Sequence, residues 1–565
     1  MKKGLITFVL IVVIVISSLL QAQTDSVASN KFEIVYQADV QYALNDSWLN
    51  KIRDDWKATG INLRIFRYKV EKYDSLFAWN DKLYDVDDAL TKIADAGLDI
   101  YLRLSMASLD SWSIKHVYND DDFDIRSNGK KFLNEYEINN PILNLTSPKS
   151  LGDMLNFVGK VVNHLNSLPD KIRNRIRLIV PAISPDDETE FPFNTYNDST
   201  RSIINDVLTG YSRPEISAFM KFLENRYSTI DSLDTNWGEG AKFTDFDPNQ
   251  IQIKNYNWDG IKSDPESPDY YKYLNGRKDF LDFRREELKN FIDNCNVIVK
   301  EAGYKFGVQF GSIYDGLIEF RGFYDPTPLI ENVDMLITDD ILEYYPNYSF
   351  SADYSRSLCK YWTWKNENKE PKEFATEINW FGYGGHSPEE LIKYWSLQLR
   401  TFYEKGASCL FVSQWGTVAG PGNVAERLLS GSFKKEYSAW QDTLKRFQNA
   451  PVKIVDNDFA FNLACEQGLN YRKYSTDSDS EKFSFIHNEG LVVGNIEGRN
   501  ILEFPLCKFS KTKGEAGANY YKGNGDFVTN FMLLNSPGYL QVNYKNYFLT
   551  GTSSYTPIYV KSLFK

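Results

Sequence analysis

From about residue 31 to 440 the chain alternates short apolar runs with longer amphipathic stretches, and this rhythm restricts the fold more than any other feature. A short apolar run followed by a helix-period pattern is a βα unit, and its repetition calls for a parallel sheet covered by helices. The runs are Phe32 to Ala38, Asn62 to Phe66, Leu98 to Leu104, Arg177 to Ser184, Lys305 to Phe310, Met335 to Thr338, Glu373 to Ile378 and Cys409 to Ser413. Turns such as Ala96-Gly97, Ala302-Gly303 and Lys405-Gly406 precede several of them. Eight strands in this order predict an α/β fold, a (β/α)8 TIM barrel, over 31–445.

The largest insertion, 211–290, falls between the fourth and fifth strands. It carries helical pattern at Ala218 to Tyr227 and Leu281 to Ile292, with a Trp-, Asp- and Pro-rich loop through Trp258 between them. Long βα insertions lie at the C-terminal face of a barrel and shape its cleft. After about residue 447 short alternating runs, among them Phe483 to Ile486 and Phe527 to Leu534, are separated by Gly, Asn, Asp and Ser. That pattern predicts a small antiparallel, sandwich-like β domain over 447–565, with a supporting or substrate-edge role. At the other end, Met1-Lys2-Lys3, the apolar run Leu5 to Leu20 and the small-residue site before Gln23 have the three-part form of a signal peptide. Residues 1–23 are expected to be removed on export, leaving a secreted or periplasmic protein.

Composition excludes several classes of function. A formal charge of −12 offers no basic face for nucleic acid. The five cysteines (Cys295, Cys359, Cys409, Cys465, Cys507) and four histidines show no metal-ligand spacing, and no Gly-rich phosphate loop opens a helix. Neither a metal nor an organic cofactor is therefore expected. Aromatic residues make up 15% of the chain, and sugar rings, with apolar faces and polar rims, are bound on aromatic platforms beside hydrogen-bonding groups. A carbohydrate is the partner this composition suits.

Cleavage of a glycosidic bond needs two carboxyl groups, one protonated for the leaving oxygen and one ionised. On a barrel they must project from the C-terminal ends of strands. Two stretches qualify. Pro185-Asp186-Asp187-Glu188-Thr189-Glu190-Phe191-Pro192, after the fourth strand, holds four carboxylates in five positions. Crowded like charges in a shielded cleft keep one group protonated to higher pH, as a general acid requires. In Thr376-Glu377-Ile378-Asn379-Trp380 a lone glutamate ends an apolar strand and a tryptophan follows. Weaker candidates for sugar contact are Arg64 and Arg67, Asp39, Asp339 and Asp340, Trp258 and His386, each more readily explained as a barrel ion pair or as packing.

The placement of these acids after strands four and seven, together with Phe222-Leu223-Glu224-Asn225-Arg226-Tyr227, Leu233-Asp234-Thr235-Asn236-Trp237-Gly238 and the helix pattern Phe280 to Phe291, resembles the clan A glycoside hydrolases. Within that clan the chain is most similar to the family 42 β-galactosidases. The resemblance covers roughly 31–440 and is most specific between 176 and 292. It implies a retaining, two-glutamate double displacement with Glu377 as nucleophile and Glu190 or Glu188 as acid/base, and Trp415 of Ser413-Gln414-Trp415 in the subsite for the cleaved sugar. Glu190 is preferred as the acid/base because an aromatic follows it, as in the family's Asn-Glu-Tyr pattern. Glu188, spaced between Pro185 and Pro192, is similar to the catalytic loop of β-amylase-like barrels. Neither glutamate follows the Asn that the clan usually carries. The competing expectations are a carbohydrate-binding protein on a decayed barrel and an inverting, β-amylase-like hydrolase.

Overall fold

The structure is a computed structural model. It describes residues 31–72, 76–134, 139–197, 202–204, 207–237, 243–251, 274–311, 321–323, 326–339, 372–379, 387–416 and 434–453, isolated positions between 352 and 362, and short strands after 457. The predicted signal segment, Trp258, Asp340, Trp380, His386 and most of 447–565 lie outside the described residues. Of that last segment, two antiparallel strand pairs are described, Asp458–Phe459 with Val560–Lys561 and Val492–Ile496 with Arg499–Leu502. No helix among the described residues is long and apolar enough to cross a membrane.

All eight expected strands form: β1 (Glu33–Asp39), β2 (Gly60–Phe66), β3 (Asp99–Ser105), β4 (Ile176–Ala182), β5 (Gly307–Phe310), β6 (Met335–Asp339), β7 (Glu373–Asn379) and β8 (Cys409–Gly416). Neighbours pair in parallel around the sheet in the order β5-β6-β7-β8-β1-β2-β3-β4. The ring closes between β4 and β5 by a parallel bridge from Ile179 to Phe306, with the Ile179 N–H donating to the Lys305 carbonyl at 3.0 Å. The chain is thus a (β/α)8 barrel.

Alternation along each strand divides the barrel's two faces. Outward residues such as Ile34, Tyr36, Ile61, Leu63, Ile100, Leu102 and Leu336 join the helices in one continuous core. Inward residues fill the lower lumen with a second cluster: Val35, Tyr101, Leu178, Val180, Met335, Ile337, Ala375, Cys409 and Phe411. Each fully buried side chain of this kind contributes about 1.5–3 kcal/mol relative to exposure. Strands packed on both faces have no polar side to spare, which is why they read as nearly unbroken apolar runs. Towards the C-terminal ends the same inward positions turn polar: Gln37 and Asp39, Asn62 and Arg64, Arg103 and Ser105, Gln309, Asp339, Glu377. The barrel is therefore dry below and charged at one mouth.

The helices between strands include α1 (Asp46–Asp54), α2 (Val86–Asp95), α3 (Pro148–Ser167), α4 (Arg213–Tyr227), α5 (Ile230–Trp237), α6 (Leu274–Glu301), α7 (Pro388–Glu404) and α8 (Lys434–Phe447). Their starts are chemically marked. Ser212 with Glu215 and Ser387 with Glu390 form reciprocal capping boxes, each with Pro in the first turn. The helices expected in the insertion both begin earlier than their apolar pattern suggested, α4 at its Ser-Arg-Pro-Glu cap and α6 at Leu274. Their polar first turns carry no apolar stripe, so periodicity alone found only the middle of each.

Candidate active site

The mouth is built from the strand ends upward. Glu377 lies on β7 in register with Asp339 of β6 and is 3% exposed. Its Oε2 accepts from Arg103 Nη2 of β3 at 2.8 Å and from Gln309 Nε2 of β5 at 3.0 Å. Arg103 also donates to the Gln309 side-chain oxygen, so the three groups form a closed triangle inside the lumen. Two donors converging on one buried oxygen, one of them a guanidinium, suit a carboxylate and fix its direction.

The acidic stretch after β4 is not a solvated loop. Asp187, Glu188, Thr189 and Glu190 are all buried, and Asp186 alone of the five is exposed. A tight turn folds the chain back, with the N–H groups of Ile183 and Ser184 both donating to the Glu188 carbonyl and Asp187 at φ 66°. Asp is among the few non-glycine residues that tolerate the left-handed region. Its side chain is then tied down by Ser105 Oγ at 2.6 Å and by the Arg64 guanidinium, which pairs with Asp39 on its other side.

Beyond the turn, residues 188–191 run beside β5. The Thr189 N–H donates to the Gln309 carbonyl at 2.7 Å, the Gln309 N–H donates to Thr189 Oγ1 at 3.2 Å, and the Phe191 N–H donates to the Arg321 carbonyl at 3.0 Å. The Gly311 N–H donates to Glu190 Oε2 at 2.8 Å, and Arg321 Nη1 lies 3.1 Å from Glu190 Oε1 and 3.9 Å from Glu188 Oε2. The two glutamates are close enough for each to act on the other's proton. Burial raises both: Glu190 is pushed up to about 7, with Arg321 and the Gly311 N–H pulling the other way, and Glu188 is held well above the usual carboxylate range by burial and by the neighbouring Glu190. Behind this segment the guanidinium of Arg284 lies 3.7 Å from the centre of the Phe191 ring and is held by Glu215 at 2.5 Å and Glu287 at 2.8 Å.

Of the residues singled out in the sequence, Glu377, Glu188, Glu190, Asp339, Arg64 and Asp39 thus gather at one mouth. Arg64 is engaged by two aspartates rather than open to a ligand. Arg67 stands apart, bonded to Glu71 and to the Tyr118 hydroxyl at 2.9 Å. Trp415 belongs to β8, and its side chain lies outside the described residues. Three residues at the mouth were not among the sequence candidates: Arg103, Gln309 and Arg321. A signal existed for the first two, since Tyr101-x-Arg103-x-Ser105 and Gly307-x-Gln309 place polar side chains on the inward face of otherwise apolar strands.

Fold and mouth together define a (β/α)8 barrel whose C-terminal end carries enclosed carboxyl groups on β7 and after β4. No family profile and no curated protein matches the chain. Among solved structures it is similar to the β-galactosidase from Bacillus circulans sp. alkalophilus, at 14% identity and a TM-score of 0.51, over 74% of this chain and 56% of that one. It is also similar to the catalytic domain of the β-amylase from Paenibacillus polymyxa, at 14% identity and a TM-score of 0.48, over 68% of this chain and 92% of that one. At such identity the likeness speaks for the shared barrel.

Proposed function

We propose that the protein is a retaining glycoside hydrolase acting on β-linked oligo- or polysaccharides, with Glu377 as nucleophile and Glu188 as acid/base. One observation carries this reading. Two carboxyl sites at the C-terminal mouth have opposite environments, Glu377 held by a guanidinium and an amide, Glu188 enclosed against a second carboxyl, that of Glu190. Opposed environments are what separate a nucleophile from a general acid. Glu377 would attack the anomeric carbon while Glu188 gives its proton to the departing oxygen. In the second step Glu188 would take a proton from water, which releases the sugar. The two carboxyl groups must then stand about 5–5.5 Å apart.

The sequence expectation placed Glu190 first; on enclosure Glu188 is preferred here. Glu190 is wholly buried with one oxygen on the Gly311 N–H and the other beside Arg321, whereas Glu188 keeps 4% exposure and has the Asp339 charge among its neighbours. The β-galactosidase similarity makes aryl β-galactosides the first substrates to assay. Product anomers followed by NMR test the mechanism: initial release of the β-anomer from a β-glycoside supports it, and initial release of the α-anomer assigns the inverting alternative instead. The N-terminal segment supports a secreted or periplasmic location, and mass spectrometry of the mature N-terminus checks its removal.

A further inference from the structure

We infer that Arg321 is a positioning residue that decides which of the two buried glutamates carries the proton: its guanidinium enters the space left by the missing side chain of Gly311, pairs with Glu190, and leaves the proton on Glu188. This rests on the reading of that pair as the acid/base site.

Gly311 is required by the close approach. A Cβ built there would stand 1.7 Å from Arg321 Nη1, 3.0 Å from its Cζ and 3.4 Å from Glu188 Oε1. The bare backbone does two things at once, letting the guanidinium through and donating its own N–H to the second oxygen of Glu190. Arg321 is anchored from both ends. Its carbonyl accepts from Phe191, its guanidinium lies 4.0 Å from the centre of the Phe193 ring, and Gly322 at φ 84° packs so tightly on Phe191 that a Cβ would fall 2.6 Å from Cδ2. The segment carrying the cation is thus locked to the segment carrying the acids.

Two adjacent carboxyl groups in a dry site hold one proton between them, and a cation nearer one drives the proton to the other. Among the described residues, the charges that act most on the pair are Asp186 from the same turn, Asp339 from β6 and Arg321. Asp186 and Asp339 favour the protonated forms. The other arginines at the mouth are directed elsewhere, Arg103 to Glu377 and Arg64 to Asp39 and Asp187. Arg321 opposes both aspartates, and it does so more strongly for Glu190, at 3.1 Å, than for Glu188, at 3.9 Å.

The test is the pH profile of kcat/KM on an unactivated β-glycoside for the full-length protein and for R321Q, R321K and G311A. Removing the cation should move the alkaline limb upward by about one pH unit or more, because both carboxyl groups then hold their protons longer. R321K should keep the limb near its original place. G311A retains the charge but displaces it, and should move the limb in the same direction as R321Q. A uniform loss of rate at every pH, with the limb unmoved in both R321Q and G311A, would overturn the inference and leave Arg321 a structural residue. Should R321Q fail to fold, G311A and carboxyl carbon NMR of the unaltered protein decide. One glutamate of the pair must titrate near 7 and the other higher, and two groups titrating near 4 sink the idea. If E188Q and E190Q both keep full activity, the acid/base reading itself is wrong. If E188Q is inactive but the limb ignores Arg321, only this inference falls.

Discussion

The side-chain amide of Gln309 on β5 reaches past the intervening strand to Glu377 on β7, 3.0 Å from Oε2. Two residues further on, the backbone of the same chain segment donates to Glu190. A single stretch, 309–311, therefore positions both carboxyl sites, by a side chain for one and by a peptide N–H for the other. Its main chain is also bonded to Thr189, so a shift of this stretch would move both acids together.

Replacing Gln309 by Leu should accordingly impair chemistry more than binding. The change removes one donor from a buried charged group and leaves Arg103 without its amide partner. A hydrogen bond to a charged group contributes about 1.5–3 kcal/mol, so kcat/KM should fall roughly 10- to 100-fold. Steady-state kinetics should place the loss in kcat, and a change confined to KM would rule out a positioning role.

The Arg103–Glu377 pair gives a separate prediction about stability. Both side chains are nearly inaccessible, at 1% and 5%. Removing one partner of a buried pair leaves an uncompensated charge and costs about 3–5 kcal/mol, whereas removing both costs much less. Urea unfolding should therefore show Arg103→Met strongly destabilised and Arg103→Met with Glu377→Gln recovering a large part of the loss. Simple additivity of the two single changes would mean that the pair is not coupled.

The acid/base assignment is tested by the alanine variants. Glu188→Ala should lower turnover of an unactivated glycoside by about 10²–10⁴-fold, the usual contribution of a general acid. Aryl glycosides with good leaving groups should be less affected in the first step, and azide should restore turnover by replacing the missing base in the second. Rescue at Glu190→Ala and not at Glu188→Ala would reverse the order proposed here.

Much of this was legible from residue patterns. The strands were, because a buried parallel sheet forces continuous apolar runs, and each predicted run lies within two residues of the strand found at every end except the C-terminus of β8. Glu377 and the acidic turn were legible because strand ends with carboxylates have few other uses in a barrel. Arg103 and Gln309 were not picked out, since each is a single polar letter in an apolar strand and its importance appears only when β3, β5 and β7 converge in the lumen. Arg321 had no local signal at all. It lies in a non-strand stretch, and its role depends on the absence of a side chain at Gly311 and on a turn far earlier in the chain, at 183–188. Asp187 was one of four crowded carboxylates with no role of its own in the sequence, and it is buried between Ser105 and Arg64, because the left-handed turn directs it inward.

The last prediction concerns the opposite end of the barrel, where pH acts on stability without touching the site. Glu33 at the start of β1 accepts a hydrogen bond from the Tyr101 hydroxyl within the lumen, beside Cys409, and burial pushes its carboxyl up to about 7 despite that bond and the charge of Arg177. Asp99 and Glu373, also nearby, push in the same direction as burial. In the unfolded chain the group titrates near its ordinary value of 4.5, so the folded state holds a proton that the unfolded state has already released. The stabilisation from this proton is fully present below about 4.5 and is lost as pH rises through about 7. One such group changes stability by at most about 1.4 kcal/mol per pH unit within that window. Glu33→Gln, which keeps an acceptor for Tyr101 but cannot ionise, should therefore gain on the parent protein between pH 5 and about 7 and level off above that. Paired urea titrations at pH 5, 6.5 and 8 read this directly, with the proposed hydrolytic activity unchanged because Glu33 starts β1 at the other end of the strands from the mouth that holds Glu377. A constant difference in midpoint across the three values would show that Glu33 ionises normally in the folded protein.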